Sequence, residues 1–355
     1  MGIFLTRTRQ KLALTTVGLL CFTGVAYSED LIVMGYGDAA FKDNYMKAVV
    51  EPFMAANPDI KVSYFPVLNA GAGLGQLRAQ KNDPQADLVI LELSIANIAK
   101  QEGLIDGFDT AKMANYSQLG TIGRELGDFG LPIGYDTIGF VYSTDAFPQK
   151  PTSISALWQP ELKGKVVISA RSDIQATALT VLVDKAEGGT DYINDLEKGY
   201  AKLIELAPSV QTWDPKPDQY TLLVNGSAAI STGWNARNQT YTDQTNGKVS
   251  AFTPSEGTVA ITNVISHVKG AKATEAAQKF ADFAIGAQAQ KSFSEATYYS
   301  PTNTQVQLPD ALKARIPMLD PELAKRIIPV DWLAMSSKRQ DILATWKRKV
   351  IAAGQ

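Results

Sequence analysis

Three apolar runs, each followed by residues of helical period, constrain this chain more than anything else in it. Leu31-Ile-Val-Met-Gly35, Ile60 to Val67 and Ala86-Asp87-Leu-Val-Ile-Leu91 read as strands. After the first, apolar residues recur at Tyr45, Met46, Val49, Val50, Phe53 and Met54, and Asn57-Pro58-Asp59 stops that helix. Gly71-Ala-Gly-Leu-Gly75 leads into a second helix containing Leu77, and Ile95, Ile98 and Ala99 mark a third. Strands that alternate with helices bury both faces of a mainly parallel sheet, with right-handed crossovers. The fold class expected is α/β.

The rhythm changes at Leu131-Pro132. Pro132 to Ser143 is extended and apolar and reads as a crossing segment; Val259 to Val268 reads as the return crossing. Between them lie a strand at Lys165 to Ser169, a helix at Asp173 to Lys185, an extended Val210-Gln-Thr-Trp213, a helix at Tyr220 to Asn225 and a strand at Ala228 to Gly233. Thr274 to Ile285 is a periodic helix, and the tail from Pro309 is mostly helical. No internal repeat or low-complexity stretch is visible. Two α/β units joined by two extended crossings leave a cleft between them, where strands end and helices begin, and such clefts favour ligands.

The first 28 residues have another character. Arg7, Arg9 and Lys11 precede an apolar run from Leu12 to Ala26, and Ala26-Tyr27-Ser28 places small residues before Glu29. That pattern is a secretory signal peptide, and the run is too short to span a bilayer comfortably. Cys21 follows Leu20 where a lipoprotein signal would have a small residue, so a lipid anchor is not expected. The chain is therefore expected to be exported and not membrane-anchored. Of 34 basic residues the signal holds three, which leaves 31 against 36 acidic, a net charge of −5. That argues against nucleic acid as a partner, since phosphate binding needs a basic surface. The sole cysteine, Cys21, goes with the signal, so the mature chain has neither disulfide nor thiol nucleophile. At 355 residues the chain has cores large enough to do without them.

Catalytic and metal signatures are sparse. His267 is the only histidine and sits in an apolar extended run, which reads as structural. There is no G-x-S-x-G, H-E-x-x-H or phosphate-loop motif. Gly71, Gly73 and Gly75 have the wrong spacing for a dinucleotide fingerprint, leaving a flexible turn or a cradle of N–H groups for an anionic group. Tyr298-Tyr299 invites a ferric-ion reading, but lacks a neighbouring histidine or carboxylate cluster and reads as packing. No catalytic residue, metal ligand or cofactor is assigned. Trp213 and Trp234 end extended segments and are either core or pocket wall. Arg171 and Arg237 lie at helix starts, where an arginine is solvated or grips a carboxylate. Glu92 ends the third strand, as a helix cap or a cleft ligand.

Several segments, in order, resemble the periplasmic solute-binding proteins of ABC importers, specifically the spermidine/putrescine-binding group. They are Asp87-Leu-Val-Ile, Lys100-Gln-Glu-Gly-Leu-Ile105, Thr137-Ile-Gly-Phe-Val-Tyr142, Leu157-Trp-Gln-Pro-Glu-Leu-Lys-Gly164, Leu222-Leu-Val-Asn-Gly226 with Trp234-Asn235, Pro254-Ser-Glu-Gly257 and Tyr299-Ser-Pro-Thr-Asn303. The resemblance implies a two-lobed fold of the type II periplasmic-binding-protein class, with a central cleft that closes on its ligand. The expected division is a signal at 1–28, one lobe from 29–136 plus 260–305, and the other from 137–259 plus 306–355. The resemblance also implies aromatic walls and amine-gripping carboxylates. It puts Tyr36 in the first cleft loop, Glu92 to Ser94 in the second, Asp173 at an amine-binding acid and Trp234 at a pocket tryptophan. Where the group has a tryptophan and an aspartate on the return crossing, this chain has Ile261-Thr262-Asn263. Asparagine cannot replace a charge-assisted bond to an amine, and Arg171 and Arg237 repel a polycation.

The expectation is thus a receptor, not an enzyme, that hands a small zwitterionic or carboxylated amino compound to an ABC permease. Its expected ligand residues are Tyr36, Asp38, Glu92, Arg171, Asp173, Trp213, Trp234, Arg237 and Asn263. It is expected to be a monomer. The alternative is a polyamine receptor using Asp38, Glu92, Asp173 and Asp214; a ferric-ion receptor and an exported enzyme rank below.

Overall fold

The computed structural model describes residues 29–126, 130–170 and 174–355; the signal segment, Arg171 and Asp173 lie outside the described residues. Strands β1 (Glu29–Tyr36), β2 (Ile60–Val67) and β3 (Leu88–Glu92) run parallel in the order β2-β1-β3. Every residue of β3 is buried, as a continuous apolar run with both faces covered requires. The expected first helix is Ala39–Tyr45 and Glu51–Ala56 joined by a π-helical turn, Met46–Val50. Pro52 has no N–H and its ring crowds the carbonyl four residues back, which a wider turn just ahead of it relieves.

The remaining strands are β4 (Ile105–Asp106), β5 (Leu131–Ser143), β6 (Val166–Val167), β7 (Val210–Thr212), β8 (Ile230–Trp234), β9 (Val249–Phe252), β10 (Thr258–Val268) and β11 (Ile327–Ile328). The expected crossings are β5 and β10, the two longest strands. They pair antiparallel with each other through 131–137 and 260–265, and β10 also pairs antiparallel with β3. Past residue 137, β5 leaves β10 and pairs with β8 and β9. β8 adjoins β6, which adjoins β7, both in parallel. The strands thus form one 11-stranded sheet whose two halves are joined where β10 pairs with β5. At Asn263 the β5–β10 register slips, opposite Gly134 and Pro132. Pro132 cannot donate to a ladder, and a bulge there re-aims the neighbouring side chains.

The C-terminal segment packs against both sides. Asn97, on the helix after β3, donates to the Leu333 carbonyl at 3.2 Å and to Ser336 Oγ at 2.7 Å. Farther on, the Trp346 indole donates to Thr180 Oγ1 at 2.8 Å and meets the Trp213 ring edge-on at 5.5 Å. No helix of the described residues is long and apolar enough to cross a membrane.

Candidate ligand-binding cleft

Five helix starts converge on one cavity of about 400 Å³ lined from both halves of the sheet. Asp38, Asn69, Glu92, Asp218 and Trp234 all line it, and each is the residue that precedes a helix. Strand ends and helix N-termini bring N–H groups and the positive ends of helix dipoles to such a place. Three of the five spend their side chains on capping: Asp38 accepts from Phe41 N–H at 3.1 Å, Asn69 from Ala72 N–H at 2.9 Å and Asp218 from Thr221 N–H at 2.8 Å. Glu92 and Trp234 occupy the capping position without a side-chain capping bond, and both are 7% exposed. The Glu92 carboxylate is therefore part of the cavity wall rather than a cap.

The glycine turn divides its roles. Asn69 supplies the cap, and Gly73 lies against β3, where a Cβ would come within 3.2 Å of Leu91 Cδ2. Gly73 lets the helix sit close to the strand.

The strongest electrostatic feature is a two-pronged ion pair. Arg237 Nη2 lies 2.6 Å from Asp38 Oδ2, and Nε lies 3.1 Å from Oδ1. Asp38 follows β1 and Arg237 follows β8, so the pair spans the cleft from one half of the sheet to the other. Burial pushes the Asp38 carboxyl up, but the charge and hydrogen bonds of Arg237 and the N–H of Phe41 hold it below the ordinary carboxylate range. Burial likewise opposes the charge of Arg237, and Asp38 more than reverses this. The side chains keep 19% and 39% of their surface exposed, so solvent screens the pair in part. Arg237 also donates to Tyr299 Oη at 3.4 Å and sits 6.0 Å from the centre of the Tyr36 ring.

Aromatic packing fixes these walls. Tyr36 Oη donates to Asn263 Oδ1 at 3.0 Å, tying β1 to the bulged crossing strand. Tyr36 meets Phe41 edge-on at 5.1 Å, and Tyr299 stacks on Phe293 at 5.2 Å. Opposite, Tyr220 and Tyr241 stack at 3.9 Å.

A family model described as "Bacterial extracellular solute-binding protein" matches residues 48–318, more than half of the chain. The chain belongs to this family. Among curated proteins, this solute-binding protein is 26% identical to the "Spermidine/putrescine-binding periplasmic protein" of Escherichia coli K12, over 75% of its own length and 74% of the relative's. Among solved structures it resembles the binding protein AgtB of A. tumefaciens R10 in complex with agropinic acid, with TM-score 0.77, 20% identity and coverage of 91% and 99% of the two chains. It also resembles the Atu4243 GABA receptor, with TM-score 0.74, 23% identity and coverage of 90% and 97%. These neighbours are two-lobed periplasmic binding proteins, the architecture read from the crossings.

Of the nine ligand residues expected of this binding protein, Tyr36, Asp38, Glu92, Trp234, Arg237 and Asn263 come together in the cavity. Arg171 and Asp173 fall outside the described residues. Trp213 is not among the described residues that line this cavity, and its ring meets that of Trp346 edge-on at 5.5 Å, where the C-terminal segment covers it. Asp214, counted for the polyamine alternative, is also away from the wall and lies 3.2 Å from Lys216 Nζ. Tyr298 does not face the cavity; its hydroxyl meets Asp243 and Arg315. Among the described residues no group of three or more His, Cys, Asp or Glu is placed to hold a metal ion. Sequence reading missed Asp218, Tyr220, Tyr241 and Tyr299 as wall residues. Asp218 carried a signal, since an aspartate before a helical run is a cap and caps gather at this cleft.

Proposed function

We propose that this protein is the periplasmic receptor of an ABC importer for a small amino compound that carries both an ammonium and a carboxylate. The observation that supports this is the Asp38–Arg237 pair, with opposite charges facing one cavity from two sides. A ligand with both signs exchanges partners with such a pair. Its carboxylate takes Arg237 in a two-pronged bond, and its ammonium takes Asp38 or Glu92 against the aromatic faces of Tyr36 and Trp234. No charge is then left desolvated and unpaired, the costly outcome in a closed cleft. A polycation satisfies the carboxylates but faces a like charge at Arg237.

Function on this reading needs no covalent chemistry. The lobes, 29–136 plus 260–305 and 137–259 plus 306–355, close because the ligand touches both only in the closed form. The membrane permease then reads closure. The chain acts as a monomer in the periplasm after removal of residues 1–28, and it is not an enzyme.

The polyamine reading is kept because the curated relative is named for spermidine and putrescine, and because Asp38, Glu92 and Asp218 line the cavity with five aromatic rings. Thermal melts against putrescine, spermidine, 4-aminobutyrate and amino acids separate the two. Ligand at 100 times its dissociation constant adds about 2.7 kcal/mol to the folded state, several degrees in midpoint. Stabilisation by carboxylated amines, lost in Arg237→Ala, is the expected result. Stabilisation by polyamines alone overturns it in favour of the second reading.

A further inference from the structure

Beneath the Asp38–Arg237 pair lies a buried carboxylate. Asp136 is 3% exposed and stands on the crossing strand β5, opposite Ile261 of β10, which lines the cavity. Two residues later Ile138 pairs with Trp234. Asp136 Oδ1 accepts from Thr137 N–H at 2.8 Å and from Ala236 N–H at 3.1 Å. Ala236 is in the first turn of the helix Asn235–Gln244 and immediately precedes Arg237. Asp136 Oδ2 meets no donor among the described residues.

We infer that Asp136 is the positioning residue for Arg237: it ties the helix that carries the guanidinium to the crossing strand and couples the charge at the cleft to its own protonation. This rests on the reading of Arg237 as a ligand contact. The anchor is favoured electrostatically, because a carboxylate at a helix N-terminus meets the positive end of the dipole and satisfies an N–H that has no partner within the helix. A partly satisfied, buried carboxylate is also poised to take up a proton. Burial raises the Asp136 carboxyl to about 7, while the N–H groups of Ala236 and Thr137 and the charge of Arg237 oppose this.

The ionisable groups facing Asp136 are Arg237, Tyr220 and Tyr299. Arg237 stays charged, and burial pushes both phenols above their ordinary range. Asp38, linked through Arg237, stays ionised because it is held low. Asp136 is therefore the member of this cluster that changes charge near neutrality. A ligand carboxylate on Arg237 adds negative charge beside it and promotes proton uptake; an ammonium promotes release.

The test needs no ligand. Tryptophan fluorescence of the protein is followed between about pH 5 and pH 9, since Trp234 adjoins this cluster. The expected result is a transition centred near 7 that disappears in Asp136→Asn. In Arg237→Gln the midpoint rises by about one unit, because an attractive charge has been removed. His267→Gln, remote from the cleft, leaves the transition in place. A transition that survives Asp136→Asn, or a midpoint unmoved in Arg237→Gln, overturns the inference. Should Asp136→Asn fail to fold, the Arg237→Gln midpoint alone decides it. Because the titration is ligand-free, it can succeed while the solute panel rejects the zwitterion reading, and the reverse.

Discussion

At Arg237 a single guanidinium serves as both structural tie and candidate ligand contact. Its pair with Asp38 is partly solvent-exposed, so its net worth to stability is about 1 kcal/mol or less. Arg237→Ala is accordingly expected to shift the melting midpoint little, while lowering affinity for a carboxylated ligand at least tenfold, the size of one lost charge-assisted bond. The two tryptophans make the contrasting pair. Trp234→Ala is expected to weaken ligand binding, measured by calorimetry. Trp213→Ala is expected to leave affinity unchanged and to cost about 3–5 kcal/mol of stability, because it opens a hole beneath Trp346. Equal effects on both quantities in the two variants would count against this division. Sequence alone could not separate them: each ends an extended segment, and only the returning C-terminal segment covers one and leaves the other at the cleft.

Among the elements, the helix Asn235–Gln244 is held at its start, its middle and its end. Asp136 accepts from its first turn, and the Arg315 guanidinium reaches Gln239 Oε1 at 2.9 Å and Asp243 Oδ1 at 2.8 Å. A carboxylate whose pKa is raised on folding contributes stability that is fully present below its unfolded value and lost as pH rises through the folded one. Stability therefore falls as pH rises from about 4 toward the Asp136 folded value near 7. Asp136→Asn is expected to melt higher than the parent at pH 8 and to lose that advantage by about pH 5. The Asp38 carboxyl has the opposite sign: its contribution is present above the ordinary carboxylate range and lost only as pH falls through its lowered value. The C-terminal element offers a further check. Trp346→Phe removes the hydrogen bond to buried Thr180 and is expected to cost about 1–3 kcal/mol in denaturant melts.

For the whole molecule, the two halves of the sheet, joined where β10 pairs with β5, can change their mutual angle only by bending those strands and whatever else links them. The C-terminal segment is such a link, through Asn97 on one side and Thr180 on the other. Asn97→Ala, which releases one end, is expected to enlarge the ligand-free radius of gyration measured by X-ray scattering without changing that of the ligand-saturated form. An unchanged ligand-free radius would show that the crossing strands alone set the angle.

The sequence by itself determined the parallel β-α-β opening, the two crossings and the cleft between them. These follow from hydrophobic period and strand length, which are local properties. Strand ends and helix starts mark Glu92, Trp234 and Arg237 as cleft candidates, whereas Tyr36 and Asn263 are marked by the resemblance to the solute-binding group. What only the tertiary structure decided is which polar group answers which. That Asp38 meets Arg237 about two hundred positions away, that Asp136 anchors the neighbouring helix, that Tyr299 joins the wall while Tyr298 turns to Arg315, and that Trp213 is covered all depend on distances across the fold. No local pattern encodes them, since a side chain's partner is set by how separate elements pack, and the same residue types in the same local context serve equally as core, cap or ligand contact.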